Sequence, residues 1–493
     1  MTEFRNLAIG CLAAATMALL PVKAFSLEAA GVLKRASDAM GATDLRSLRY
    51  VGSGSGALFG LPFKSGAAWP VVNLPRYVRS INYETASYSE ETTSTRAELR
   101  GGGGGLPPFG QAGERRTNTF VSGPYAWNMA GTTANPALLA STERVHELWI
   151  TPHGAIKAAM RNNATLEWKA QGGKSLAAVS FAEPGRFTAT VYINDKYLVE
   201  KVESRLPVPV LGETNVVTSY SDYQSFGPIM FPMQIRQTAG GHRVLDITVR
   251  ETQPNTAVNI TAPESVKAPQ ERVTTEKVAD GVWFVAGGSH NSVAIEMRDQ
   301  MLLVEAPNSD RRMDAVLEAV GKLVPGKAVR TVVNTLNHFD HAGGLRAAAA
   351  VGASIITQAQ NQAYFERAFA TRASISPDNL TKSRKKARVR GVAEKLVLGE
   401  GERTVELHRI RGSTHNDSFL MVWLPKEKLL IEADAFNGTP KPPAQVNPLT
   451  LNLVENIERL KLPVERILPM HGSVVPVAAL YEAIGRKPGV LSR

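Results

Sequence analysis

A chain of 493 residues with 43% hydrophobic and 20% charged residues is too long for one domain of usual size and too apolar for a disordered or coiled-coil protein. The net charge of +11 leaves room for anionic partners, but the sharpest basic run, Lys382 to Arg390, has no interleaved aromatics and reads as a solvated face, so no nucleic-acid partner is expected. The single cysteine, Cys11, lies in the opening apolar run, and any metal bound beyond that run must be held by His, Asp and Glu.

Arg5 precedes an apolar run from Leu7 to Leu20 that ends near Val22-Lys23-Ala24, the pattern of an export signal over residues 1–24. Periplasmic or secreted localisation follows as an expectation. The alternative is a membrane anchor, but about 14 apolar residues are few for a bilayer span, and no stable transmembrane anchor is expected after cleavage. Leu27 to Met40 has helical spacing and stops at Gly41. Alternation then predicts strands at Phe187–Ile193, Tyr197–Val202, Asn215–Tyr223, Phe231–Gln237 and Val244–Thr252, with turns at Asn194–Lys196 and Gly240-Gly241. These make residues 27–262 a mainly antiparallel β domain. Its strand pattern alone resembles the curved sheets of bacterial envelope proteins that hold lipids or lipoproteins. Gly101 to Gly105, followed by Pro107 and Pro108, reads as a loop.

Pro254, Pro263 and Pro269 among polar residues mark 253–270 as a linker region. From residue 271 to 493 the rhythm changes. Short strands at Gly281–Ala286, Ser292–Met297 and Met301–Glu305 precede a helix at Met313–Leu323 and a strand at Arg330–Asn334. After that strand runs Asn334-Thr-Leu-Asn-His-Phe-Asp-His-Ala-Gly-Gly344, which sets His338, Asp340 and His341 in one strand-to-helix loop. Three candidate metal ligands within four residues can converge there, with Gly343-Gly344 allowing a tight entry into the next helix.

This segment resembles the HxHxDH signature of the metallo-β-lactamase superfamily. His415 in Gly412-Ser-Thr-His-Asn, Asp434 in Leu430-Ile-Glu-Ala-Asp and His471 in Leu468-Pro-Met-His-Gly follow in the order of that family's later ligand motifs. The resemblance implies a mixed α+β fold, an αββα sandwich over 271–493 preceded by the β domain, with one or two Zn2+ per chain. It assigns His338 and His415 to a first zinc, Asp340, His341 and His471 to a second, and Asp434 to a bridge between them. Where the family has a third histidine for the first zinc, this chain has Leu336, which offers no lone pair, so the second site is the more secure and its metal could still activate water alone. Asn337 would be a weak substitute. His290, on the loop after the first predicted strand, can approach the metal from the side in this fold, but reads first as an ordinary loop histidine; His408 reads as a packed or surface strand histidine, and His146, His153 and His242 as structural or surface residues.

The implied chemistry is hydrolysis of a small-molecule ester, lactone, thioester, amide or phosphoester by metal-activated water, with Asp340 orienting the nucleophile and Asp434 available as acid or base. The alternative is an envelope protein that keeps the fold and binds metal or ligand after turnover has decayed. The loop from Asn437 to Pro448 is a candidate rim of the site.

Overall fold

The computed structural model describes residues 20–98, 100–102, 113–268, 271–399, 403–438 and 446–487. The expected export signal lies largely outside these residues. The opening helix runs Leu20–Met40, longer at its start than the spacing suggested, and ends at Gly41, whose φ of 66° supplies the left-handed turn. Among the described residues no helix is long and apolar enough to cross a membrane.

Residues 47–254 build one 13-stranded antiparallel sheet among the described residues. Strand Ser47–Ala57 pairs on one side with Val71–Asn82 and on the other with His242–Pro254, which joins the first and last parts of the meander. Helices Leu20–Met40, Ala140–Trp149 and Pro152–Arg161 cover one face. Leu33, Met40, Leu148 and Ile156 from the helices share a core with Leu48, Ile81, Val191 and Phe231 from the strands. The cavity between helices and sheet, lined by Tyr50, Arg79, Glu147 and Gln237, holds about 10 Å³, enough for a single water at most. The stretch expected as a linker continues the last strand to Pro254, then forms a short helix, Glu264–Lys267, whose Val266 packs with Ala262 and Trp127.

The remainder is two sheets face to face. Among the described residues, one has seven strands in chain order from Thr274–Ala279 to Arg388–Val392, and the other six from Lys395–Leu398 to Val475–Pro476. Alternation within the first sheet decides where each side chain goes. Val293, Ile295, Leu302, Val304, Val333 and Ile356 enter the core between the sheets, while Ala294, Met301, Leu303, Val332 and Ile355 pack outward against helices Asp310–Gly321, Leu345–Val351 and Ala359–Ala370. Burial on both faces is why these strands read as continuous apolar runs. Helix Pro448–Leu460 contributes Leu453, Val454 and Ile457 to the core of the second sheet. Helices outside and two sheets inside form the expected αββα sandwich.

Strand directions place the chemistry. Strands Val282–Ala286, Met301–Val304 and Val329–Val333 run the same way in the first sheet, as do Val405–Arg409, Leu429–Glu432 and Arg466–Pro469 in the second. The loops that carry all the predicted donors leave the C-terminal ends of these strands, at one edge of the sandwich.

Candidate metal centre

His338, Asp340 and His341 sit on the loop and short helix, Phe339–Ala342, that follow strand Val329–Val333. Gly343 and Gly344 are required by close approach: a Cβ would lie 2.0 Å from the Asn308 carbonyl oxygen at Gly343 and 2.8 Å from the Met313 Cβ at Gly344. His415, Asp434 and His471 arrive on loops of the second sheet. Two groups result, each with its donor atoms within 4.8 Å of one another: His338, His415 and Asp434 in one, and His290, Asp340, His341 and His471 in the other. All six predicted donors are brought together, and His290, read from sequence as an ordinary loop histidine, joins them.

Asp434 lies between the groups. Its Oδ2 is 2.7 Å from His415 Nε2, 3.2 Å from His341 Nε2 and 3.8 Å from His338 Nδ1, and its Oδ1 is 2.9 Å from His471 Nε2. Glu432 fixes the turn behind it, its Oε2 accepting from the backbone N–H of Ala435 at 2.9 Å and Phe436 at 3.2 Å. Burial, with Asp434 adding to it, pushes the Glu432 carboxyl up to about 8, so it is largely neutral at pH 7.

The far nitrogens of two histidines are held by oxygen acceptors, which leaves their Nε2 atoms facing the cluster. His341 Nδ1–H donates to Glu305 Oε2 at 3.1 Å, and His471 Nδ1–H donates to the Ser289 carbonyl at 3.2 Å. Such outer partners orient metal-binding imidazoles. Glu305 went unnoticed in the sequence because a carboxylate ending a short strand carries no distinctive spacing.

Burial acts to lower the pKa of His341, but Asp434, Asp340 and Glu305 outweigh it and hold the group well above the usual histidine range. Burial also opposes ionisation of Asp434, yet His341 and His415 keep its carboxyl well below the usual range. His338 is pushed down to about 3 by burial and then by His415, so its imidazole is neutral and its lone pair available.

A divalent cation fits this donor set. Both nitrogens of His338, Nε2 of His290 and Oδ1 of Asp340 are buried without a hydrogen-bond partner. Each such atom costs about 1–3 kcal/mol if left unpaired. Their place within the two groups, amid imidazole and carboxylate donors without sulfur, matches the nitrogen and oxygen ligands of zinc.

Leu336 is fully buried in the core between the sheets. Its neighbour Asn337 is also fully buried and already committed: its Nδ2 donates to Ser65 Oγ at 2.8 Å, and its Oδ1 accepts from Asn416 Nδ2. It is not free to replace the absent imidazole. Ser65 belongs to a loop of the N-terminal sheet that packs on the histidine loop, where the Phe339 N–H donates to the Gly60 carbonyl at 3.0 Å and Phe339 packs on Phe59 and Trp69. Gly101 reaches the site as well, its N–H donating to the Thr414 carbonyl at 2.9 Å, whereas residues 103–105 of that expected loop lie outside the described residues. So do residues 439–445 of the expected rim.

The other histidines have structural surroundings. His146 Nε2 bonds Ser204 Oγ at 2.7 Å, His153 Nε2 the Met40 carbonyl at 3.0 Å and His408 Nε2 Glu406 at 2.8 Å, while His242 packs edge-on against Trp69.

Residues 285–471, which contain every one of these candidate donors, match the family model of the metallo-beta-lactamase superfamily. Among solved structures, the chain is similar to the DIM-1 metallo-beta-lactamase, at 18% identity and a TM-score of 0.34 over 43% of this chain and 95% of that one. A metallo-beta-lactamase from Pontibacter korlensis gives 15% and 0.34 over 43% and 98%, and TMB-1 gives 14% and 0.34 over 43% and 94%. No curated protein matches the chain. By its family match, the C-terminal part of this chain, residues 285–471, belongs to the metallo-beta-lactamase superfamily.

Proposed function

We propose that the chain is an exported zinc-dependent hydrolase of a small-molecule ester, lactone, thioester, amide or phosphoester. The observation that carries this reading is the convergence of seven His and Asp side chains into two groups that meet at Asp434, with four of their buried polar atoms lacking any hydrogen-bond partner. A metal bound there supplies Lewis acidity and a water acidic enough to act as a nucleophile at neutral pH. The chain's own residues do the rest. Asp434 spans the two groups and can accept a proton from the attacking water. Asp340 and His471 have side chains 34% and 25% exposed, the most open of these groups, and mark the side of the site nearest solvent. Glu305 and the Ser289 carbonyl hold His341 and His471 in a single tautomer. Leu336, apolar and fully buried, leaves His338, His415 and Asp434 as the donors of the first group.

The test is a panel of chromogenic ester, lactone, thioester, β-lactam and phosphodiester substrates with the full chain, before and after chelation. Hydrolysis of one class that is lost on chelation, restored by zinc and absent from Asp434→Ala supports the reading. Zinc binding without turnover of any class would move the protein to the second reading, a binding protein that keeps the fold. Export is tested by fractionating cells that express the full chain and finding whether it loses its first residues.

A further inference from the structure

We propose that His290 is a fourth protein donor of the second group, so that this group closes around its metal while the first group, with three donors, keeps the open position. The inference rests on the metal-dependent reading above and reverses the roles suggested by the loss at Leu336. Zinc sites with four protein donors are closed, and those that bind and activate water have three. Here His290, Asp340, His341 and His471 make four, and His338, His415 and Asp434 make three.

The geometry at His290 is that of a built site. Its side chain is 90% buried, with Nε2 3.3 Å from Asp340 Oδ2 in an orientation that makes no hydrogen bond. Its ring centre lies 4.2 Å from that of His471 and 5.2 Å from that of His341. Nδ1, on the far side, shares a hydrogen bond of 2.8 Å with the Ser289 hydroxyl. The other histidines of the group are turned the same way, with Nδ1 tied back and Nε2 inward.

The loop carrying His290 is fastened from both sides. Buried Arg312 donates to the carbonyls of Arg272 at 2.6 Å, Ala286 at 3.2 Å and His290 itself at 3.4 Å. Gly288 lies so close beneath the guanidinium that a Cβ would sit 3.3 Å from its carbon. On the other side Asn291 Nδ2 donates to the carbonyls of Pro469 at 3.1 Å and Gly472 at 2.9 Å, and its backbone N–H to that of Met470 at 2.8 Å. Asn291 therefore joins the His290 loop to the His471 loop. Fixing two imidazoles against each other in this way is what a shared cation requires.

The experiment is a cobalt(II) titration of the metal-free full chain, followed by its visible spectrum and by competition with a chelator, in the parent, His290→Ala and His290→Gln. The parent's first equivalent should give the intense visible bands of a four-coordinate ion. Both variants should shift those bands, since a different donor takes the place of the imidazole, and bind the first equivalent about tenfold more weakly or worse, at least the effect of removing an outer partner. A parent whose first equivalent gives the weak spectrum of a five- or six-coordinate ion overturns the proposal without recourse to any variant. An unchanged spectrum and affinity in a folded variant overturns it as well. A parent that binds no cobalt overturns the metal-dependent reading itself, and with it this one.

Discussion

Glu305 and His341 are both fully buried, and the carboxylate Oε2 accepts from the imidazole Nδ1–H at 3.1 Å. The other carboxylate oxygen accepts from the Thr335 N–H at 2.6 Å, so one side chain fixes both the ring and the start of the loop that presents it. Glu305 does this with a φ of 71°, a conformation that costs a residue other than glycine about 1–2 kcal/mol. Glu305→Gln keeps the shape and removes the charge. It is expected to weaken zinc binding about 10–100-fold, measured by chelator competition. An unchanged affinity would show that His341 needs no carboxylate to orient it.

Gly60 ties the N-terminal sheet to the metal loop. Its φ is 81°, and a Cβ there would lie 2.7 Å from the Phe339 ring. Phe339 stands between His338 and Asp340, so Gly60→Ala is expected to displace both. The cost should be about 1–3 kcal/mol in stability, read from urea denaturation, with weaker zinc binding alongside. Lower stability with unaltered zinc affinity would mean that the sheet braces the domain without bracing the site.

His153 gives the N-terminal domain a pH dependence of its own. Its ring is fully buried, Nδ1 has no partner, and burial pushes its pKa from 6.5 down to about 4. Because the folded value is depressed, the neutral form is the stabilising one. Its contribution is complete above pH 6.5 and is lost as the pH falls from 6.5 through about 4, the unfolded chain taking up its proton first. The loss between pH 7 and 5 should be about 2 kcal/mol. His153→Gln should flatten that slope in urea denaturation of the chelated protein. Equal slopes in both proteins would place the acid sensitivity elsewhere.

The six candidate donors read from sequence were legible because each is a singular residue type at a fixed distance from a strand end, in a fixed order along the chain. The strands from Val282 to Val333 were legible because burial on both faces makes them apolar throughout. His290 was legible only as a loop histidine able to approach from the side, since a lone histidine in a Gly-Ser loop has no spacing to mark it and only the fold brings it to Asp340. The commitment of Asn337 depends on Ser65, 272 residues away, and on Asn416, 79 residues away, and neither separation leaves a local pattern. In the N-terminal half, Ser87–Arg96 reads SYSEETTSTR and has few apolar side chains to alternate, so the strands before Phe187 carried little signal. The helices Ala140–Trp149 and Pro152–Arg161 escaped notice for a related reason: they are short, and a two-residue break, Ile150-Thr151, interrupts their period.

The two candidate groups are unequal, four side chains against three, and an equilibrium zinc titration of the full chain beside Leu336→His tests most directly the proposal that the smaller group lacks a donor at Leu336. Two zinc ions should bind the parent, one tightly and one weakly. The variant should tighten only the weaker, by about tenfold or more, while its metal-free form loses about 1–3 kcal/mol from burying an unpaired imidazole. A parent that takes up no zinc, or a folded variant whose weaker zinc is unchanged, would contradict it.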